Sequence, residues 1–255
     1  MDIIVWLAGL VIGSFLNVLI YRLPLEISLI NPKRSFCTKC NTQIRWYDNI
    51  PVVSYIFLKG RCRDCKSSIS LIYPFVELFS GIIAYLMYCK FGLTGQFYIS
   101  IILIYTLFIL SFIDLKYKAV PDYLLLILLL VSFFINDFSF YNSLLFAGGF
   151  VLLNFFITYY IQNIKSYILK DDTLKTQTAL GEGDIPVVAV IGGILGIKLG
   201  VIAIFLASLF AIIPALYIGI KKDDIQTPFI PFLALGFVCC FIFDQQVLYM
   251  VNKVI

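Results

Sequence analysis

Long apolar stretches separated by short polar segments constrain the fold of this chain more than any other feature. Of its 255 residues, 61% are hydrophobic and 13% charged, and the mean hydropathy is +0.98, too apolar for an ordinary soluble domain. A bilayer core of about 30 Å is crossed by roughly 20 apolar residues in a helix. We therefore predict an all-α polytopic membrane protein with about eight transmembrane helices, near residues 3–21, 74–89, 97–113, 120–135, 141–161, 185–197, 199–220 and 228–250.

One polar insertion separates the first apolar stretch from the rest. Residues 22–73 are rich in charge, and we predict a small cytoplasmic module of a size that usually needs a metal or disulfides to fold. The chain then has three parts: a first transmembrane helix at 1–21, the module at 22–73, and a seven-helix membrane domain with the candidate active site at 74–255. The polar segment 162–183 is predicted to be a mobile cytoplasmic loop.

Positive charges predict the orientation of the chain. The first apolar segment has its nearest basic residue, Arg22, on its C-terminal side, as in a retained anchor rather than a cleaved signal. With the N-terminus outside and eight helices, 16 of the 19 lysines and arginines fall on cytoplasmic loops, and Lys90, Lys198 and Lys253 fall outside. We therefore predict a multi-pass protein of the inner (cytoplasmic) membrane. Its net charge of +4 reflects topology, so nucleic-acid binding is not implied.

Two pairs of cysteines in the predicted module indicate a metal site. Cys37-x-x-Cys40 and Cys62-x-x-Cys65 are separated by 21 residues, close to the spacing of a four-thiolate zinc ribbon. Four thiolates leave no open coordination position, so we predict a structural zinc ion. A reducing cytoplasm argues against disulfides, and redox-active or unmetallated cysteine pairs are the alternative.

Two carboxylates at the ends of apolar stretches are the strongest indication of function. Asp114 ends one apolar run, and Asp184 follows the turn Gly181-Glu182-Gly183 at the start of another. An ionisable residue at membrane depth costs at least ~2.5 kcal/mol and is by default a functional-site hypothesis. Under the predicted topology both reach the cytoplasmic face, where neighbouring carboxylates could share one proton and act as base and acid. The absence of histidine excludes Ser-His-Asp and Cys-His catalysis.

Several nearby residues have more than one interpretation. Gly181 and Gly183 would permit backbone angles and a close approach that a Cβ would block. A lone aspartate at a helix start is often only a cap, an alternative that is open for Asp184 and stronger for Asp122 at the fourth predicted span. Glu77 is predicted to be a first-turn acid favoured by the helix dipole, or else part of a site.

Motifs along nearly the whole chain resemble those of the bifunctional prepilin peptidases of type IV pilus and type II secretion systems. They occur in the family's order and comprise Gly13–Pro24, the two cysteine pairs, Trp46–Pro51, Ser54-Tyr55, Gly60–Cys65, Tyr73–Glu77, Asp114, Gly181–Asp184 and Pro228–Ala234. One departure is Glu182, where a small residue is more usual; this extra acid could perturb Asp184 or simply face water.

The resemblance implies two activities. Aspartates placed like Asp114 and Asp184 cleave the basic leader of prepilins or pseudopilins after a glycine, at the cytoplasmic face, and Glu77, Asp122 and Glu182 are candidates for supporting roles. The same enzymes generally methylate the new N-terminus with S-adenosylmethionine, an activity associated with the N-terminal loop and its cysteines. No residue spacing independently reveals a methyl-donor pocket. The implied cofactors and partners are therefore zinc, S-adenosylmethionine, prepilins and the lipid bilayer.

Three other functions remain open on the sequence alone. A presenilin-type intramembrane protease also uses a Gly-x-Gly-Asp turn, but its first aspartate usually follows a tyrosine, whereas Ile113 precedes Asp114 here. A proton-coupled transporter could carry protons on paired carboxylates, although we detect no inverted repeat. The third is a non-enzymatic, zinc-stabilised scaffold of pilus assembly.

Overall fold

Helices form nearly all of the regular structure. The computed structural model describes residues 1–31, 34–170, 172–176, 181–221 and 228–254. Its α-helices are α1 (Asp2–Arg22), α2 (Val53–Phe57), α3 (Ile72–Phe91), α4 (Gly95–Tyr117), α5 (Asp122–Ser132), α6 (Phe140–Tyr159), α7 (Ser166–Leu169), α8 (Asp184–Lys221), α9 (Ile230–Ile242) and α10 (Asp244–Val254). Within the described ranges the β-structure is limited to two isolated bridges, Phe36 with Gln43 and Arg61 with Ser68. The prediction of an all-α protein is confirmed.

Among the described residues, five helical segments are long and apolar enough to cross a membrane: Asp2–Leu25, Ile72–Phe91, Gly95–Tyr117, Phe140–Leu169 and Asp184–Pro214. A sixth span results if α9 and α10 together count as one bent pair. The chain is therefore a multi-pass membrane protein, as predicted, but the predicted count of eight spans is not confirmed. The orientation that was inferred from that count stays a prediction.

Two of the predicted spans differ from the helices observed. The fourth corresponds to α5, which has only 11 residues and is too short to cross a bilayer core alone. The eighth is broken by an 87° bend between α9 and α10, because the apolar run ends at Phe243 and polar residues follow. The sixth and seventh correspond to the two parts of α8, which meet where the backbone leaves helical geometry at Gly196 (φ 69°, ψ −174°), a conformation that glycine adopts readily.

The predicted loop at 162–183 is partly helical. Helix α6 continues through a π-helical segment, Tyr160–Lys165, into α7, and a 3-10 turn covers Asp172–Thr176. Isoleucines continue the apolar pattern beyond residue 161, which explains the extension. Residues 171 and 177–180 of the same prediction lie outside the described residues.

The chain forms two compact units, Met1–Tyr105 and Thr106–Ile255. In the first unit, α1 packs against α3 so closely that a Cβ on Gly13 would lie 2.7 Å from the Cα of Glu77. Small residues such as Gly13 let helix backbones approach this closely and are typical of helix contacts in membranes. In the second unit, α8 packs against α5, α6 and α9, and this packing gathers the start of α8 and the start of α9 around one site.

Candidate active site and metal centre

Asp184 is the first residue of α8 and follows a tight turn. Its backbone N–H donates to the carbonyl oxygen of Gly181 at 3.2 Å, and that of Ile185 donates to Glu182 at 3.3 Å. The backbone of Gly181 in turn hydrogen-bonds the Asp184 carboxylate. Only 5% of Asp184 is exposed. The turn therefore directs this carboxylate into the protein interior.

Asp114 lies in the last turn of α4 and is 8% exposed. Its Oδ2 accepts the backbone N–H of Ile230 at 3.2 Å. This donor is the first residue of α9. The first N–H groups of a helix have no partner within it and favour a negative charge, so α9 holds the Asp114 carboxylate in place.

The role of α9 was missed by the sequence-based reasoning. The hydrogen bond between Asp114 and Ile230 joins residues 116 positions apart, and no local pattern predicts such a pairing. The segment Pro228–Ala234 could have indicated this role. It is one of the motifs that resemble the prepilin peptidases, but the sequence alone assigned it no function. Pro231 stands in the first turn of α9, where its missing N–H costs no helical hydrogen bond.

The structure brings Asp114 and Asp184 together within the second unit, and Ile230 connects them. Its N–H binds the Asp114 carboxylate at 3.2 Å, and its Cδ1 would lie 3.7 Å from a Cβ on Gly183, the residue before Asp184. Two neighbouring carboxylates cannot both ionise cheaply, so one of them keeps a proton. This aspartate pair, Asp114 and Asp184, can therefore supply a base and an acid at one place.

Gly183 keeps the turn close to its neighbours. A Cβ at this position would lie 2.8 Å from Cγ2 of Val120 and 3.7 Å from Cδ1 of Ile230. The close approach expected for the turn is thus found at Gly183. The unusual backbone angles also expected there are not, because neither Gly181 nor Gly183 has a positive φ.

Replacing Gly183 by alanine tests this packing. We expect the added methyl group to force Val120 away from the turn, to cost about 1–3 kcal/mol of stability, and to lower the activity that depends on Asp184. Thermal unfolding and activity measure the two effects. A Cβ at Gly181 would make only ordinary contact, 3.4 Å from Oδ2 of Asp184, so Gly181→Ala is the matched control.

A double variant tests whether the contact with Val120 causes the loss of stability. Adding Val120→Ala to Gly183→Ala removes the atom that the new methyl group meets, and we expect it to restore most of the lost stability. Equal losses in the two glycine variants, or no recovery in the double variant, would contradict the packing argument.

Two of the candidate supporting residues are exposed. Asp122 is the first residue of α5, while Pro121 occupies the cap position, so Asp122 is not the cap that was predicted. It stands in the first turn, where the helix dipole favours an acid. Glu182 faces solvent, which matches one of the two interpretations given for it.

Glu77 lies in the second turn of α3, because this helix begins at Ile72, earlier than predicted. The residue is buried, and its Oε2 accepts the backbone N–H of Val52 at 2.8 Å. It also lines a cavity of about 350 Å³ in the first unit. Glu77 is therefore not a first-turn acid, and it belongs to this cavity.

The cavity combines groups of both charges. Buried Arg22 lines it and donates to the carbonyl oxygens of Ser28 (2.9 Å) and Leu29 (3.3 Å). Asp48 lines it as well and accepts three hydrogen bonds from Arg63, at 2.6, 2.8 and 3.1 Å, which hold the pKa of the Asp48 carboxyl below its usual range. Its tyrosines are Tyr21, Tyr55 and Tyr73. The sequence did not predict this pocket, because its lining comes from several separate segments.

The four cysteines of the module converge on one point. Their sulfur atoms all lie within 4.8 Å of one another, and the Sγ atoms of Cys37 and Cys65 are 3.9 Å apart. Four sulfurs placed tetrahedrally at ~2.3 Å from one zinc ion are about 3.8 Å apart. The donor set therefore fits a zinc ion that Cys37, Cys40, Cys62 and Cys65 would hold.

The two cysteine pairs have matching turns. The N–H of Cys37 donates to Thr42 at 2.9 Å, and that of Cys62 donates to Ser67 at 2.8 Å. Backbone hydrogen bonding from Cys40 lowers the pKa of the Cys37 thiol to about 6. A thiolate is the form that binds a metal, so the turn prepares this residue as a ligand.

Comparisons with known proteins cover both units. Residues 7–91 match the model of the bacterial Peptidase A24 N-terminal domain, and residues 101–216 match that of the type IV leader peptidase family. The prepilin leader peptidase/N-methyltransferase of Legionella pneumophila is 31% identical over 268 residues, covering 92% of this chain and 89% of the relative. The protein of the same name from Vibrio cholerae is 32% identical over 246 residues, covering 92% and 94%. No solved structure matches the chain.

Proposed function

Because the chain belongs to the type IV leader peptidase family, we propose that it cuts the basic leader from prepilins or pseudopilins after a glycine and then N-methylates the new N-terminus. The observation that best supports the peptidase activity is the buried aspartate pair, which lies within the residues that match the model of this family. The names of the relatives give no support to a presenilin-type protease, a proton-coupled transporter or a scaffold.

Cleavage needs a base, an acid and a water molecule. We assign the base to Asp114, because the backbone N–H of Ile230 at the start of α9 binds its carboxylate and stabilises the negative charge. Asp114 takes a proton from the water, and the water oxygen attacks the carbonyl carbon of the scissile peptide bond. Asp184 gives its proton to the carbonyl oxygen, which stabilises the tetrahedral intermediate.

Collapse of this intermediate completes the cycle. The carbon–nitrogen bond breaks, and the leaving nitrogen receives the proton that Asp114 took from water. The carbonyl oxygen returns its proton to Asp184 as the double bond re-forms. The leader leaves with a new carboxyl terminus, the pilin gains a free amine, and the pair is back in its starting protonation state.

The position of the pair suits this substrate. A prepilin has a short basic leader followed by an apolar helix, so its scissile bond lies where the leader meets the membrane. Asp114 stands at the end of one candidate span and Asp184 at the start of another. Because the two carboxylates share one site, we place both on one membrane face. The chain then crosses twice between them, once through α5 with the apolar residues 133–135 that follow it and once through α6. We assign this face to the cytoplasmic side of the inner membrane, since the positive-inside rule places the basic segments there.

The cysteine centre has a structural role in this proposal. Zinc held by four thiolates has no free coordination position for a substrate or a water molecule. The module between α1 and α3 has few buried apolar residues, and a module of this size gains much of its folding energy from a bound metal.

We assign the methyl-donor site to the cavity of the first unit. S-adenosylmethionine supplies a methyl group when bound, and it carries a carboxylate, two cationic centres and an adenine ring. Arg22 can bind the carboxylate, Glu77 and Asp48 can face the cations, and the tyrosines can stack on the ring. Ligand pockets are roughly 300–1,000 Å³, a range that includes the volume of this cavity, about 350 Å³.

The mass of a co-expressed prepilin tests both activities. With the unchanged protein we expect the mass to fall by that of the leader and to rise by one methyl group. Val18→Trp places an indole in the cavity lining, so we expect leader removal without methylation. In the purified variant, S-adenosylhomocysteine should bind at least about tenfold more weakly, a change of roughly 1.4 kcal/mol.

The matched control is Leu19→Trp, which adds the same ring at the next position of α1, outside the cavity lining. It should leave both the methylation and the binding of S-adenosylhomocysteine unchanged. Full methylation by Val18→Trp would exclude the cavity as the donor site but leave the peptidase assignment standing. An uncut prepilin with the unchanged protein would overturn the proposed function itself.

A further inference from the structure

Helix α2 of the module has its apolar side facing outward. Val53, Ile56 and Phe57 are spaced at i, i+3 and i+4 and so share one face, and Ile56 and Phe57 are 67% and 81% exposed. Ser54 and Tyr55, on the other side, line the cavity. A helix on a water-facing surface normally shows the reverse pattern, with polar residues outside.

A hydrogen bond fixes the start of this helix at the level of a membrane span. The N–H of Val52, just before α2, donates to Oε2 of Glu77 at 2.8 Å. Glu77 comes five residues after the start of α3 at Ile72, which corresponds to about 7.5 Å along the helix axis. It also packs against Gly13, nine residues before the end of α1 at Arg22. The start of α2 therefore lies beside the apolar parts of two spans rather than beyond their ends.

Basic and aromatic residues lie close to α2. Lys59 and Arg61 follow the helix directly and are exposed. The 3-10 helix Trp46–Asn49 contacts α2, and its Trp46 is exposed as well. Tryptophan is enriched at the level of lipid headgroups, and each lysine or arginine near an anionic membrane surface adds about 1 kcal/mol of attraction. The chemistry around α2 is thus that of the interface between lipid and water.

We propose that α2 is an interfacial membrane helix whose Val53–Ile56–Phe57 face inserts into the lipid of the leaflet that the module touches. The bilayer is the partner indicated, because both ends of the module continue into membrane spans and the Glu77 hydrogen bond holds α2 beside them. The insertion anchors the wall of the cavity that Ser54 and Tyr55 line. This inference is independent of the proposed catalytic activities.

Tryptophan fluorescence in the full-length, zinc-loaded protein tests the insertion. The chain has two tryptophans, so a variant with Trp6→Phe and Trp46→Phe provides a background without signal. In that background, Phe57→Trp reports the tip of α2 with a conservative change. The protein is reconstituted into vesicles of phosphatidylcholine and phosphatidylglycerol, with the acyl chains either brominated or unmodified.

We expect brominated lipid to quench Phe57→Trp more than about twofold over the control, since an interfacial helix sits roughly 5–10 Å deep in the headgroup and acyl boundary. The control is Gln43→Trp, at an exposed position in the turn of the first cysteine pair. Aqueous acrylamide should quench the control and spare Phe57→Trp. Quenching of both sites by acrylamide alone would overturn the proposal, and so would protection of Phe57→Trp from both quenchers, which would indicate a protein cover.

Discussion

We expect Asp114→Asn and Asp184→Asn each to stop leader cleavage, so that unprocessed prepilin accumulates in cells that carry either variant. Asparagine has nearly the same shape as aspartate, but it can neither take a proton from water nor donate one to the carbonyl oxygen. Loss of a positioned acid or base typically costs about 10²–10⁴-fold in rate. Removing one member also ends the sharing of a proton, so the two single variants should be almost equally inactive. The measurement is the ratio of cut to uncut prepilin over time.

Asp137→Asn is the matched control for these variants. Asp137 is exposed and has a left-handed backbone (φ 61°), which asparagine also tolerates, so cleavage should continue at the normal rate. Both catalytic variants should still methylate a pilin peptide supplied without its leader, which shows that they are folded. Normal processing by either variant would end the assignment of the aspartate pair.

We expect replacement of Cys37 and Cys40 by serine to abolish zinc binding and to unfold the module. Structural zinc sites in small domains contribute apparent binding energies of about 10–16 kcal/mol, and the remaining Cys62 and Cys65 cannot complete a tetrahedral site. We expect near-stoichiometric zinc in the unchanged protein and almost none in the variant, as measured by elemental analysis. Methylation should fall with the zinc content, because Cys37 and Cys62 also line the cavity.

Cys89→Ser serves as the comparison for the zinc experiment. Cys89 is exposed and lies outside the cysteine cluster, so its replacement should leave the zinc content and the protease resistance of the module unchanged. A zinc-free preparation of the unchanged protein that keeps a protease-resistant module would refute the structural role of the metal.

Local sequence patterns predicted a large part of this molecule. The apolar runs predicted a helical membrane protein, and the two Cys-x-x-Cys turns predicted a cluster that the structure contains. Asp114 and Asp184 were candidates because each is an acid at the edge of an apolar stretch. These predictions rest on composition and on spacings of a few residues, which a single sequence displays directly.

The count of spans was harder to predict, because hydropathy reports where a chain is apolar but not where its helices bend. The 87° bend between α9 and α10 lies inside a stretch that was predicted as one span, whereas the break in α8 at Gly196 lies close to the predicted boundary between two spans. The apolar pattern also does not distinguish α5, with 11 residues, from a full span. Bends and interruptions of this kind depend on what packs against each helix.

Composition and short-range spacing were sufficient to predict a membrane protein, the cysteine cluster and the two candidate acidic residues. Each of these predictions depends only on residues that are close together in the sequence. Only the tertiary structure shows three other features: the backbone N–H at the start of α9 that binds Asp114, the contact of Gly183 with Val120, and the cavity beside Glu77. The physical reason is that these contacts join segments far apart in the sequence, such as Asp114 and Ile230, 116 positions apart. Helix packing brings such segments together, and no local pattern records it.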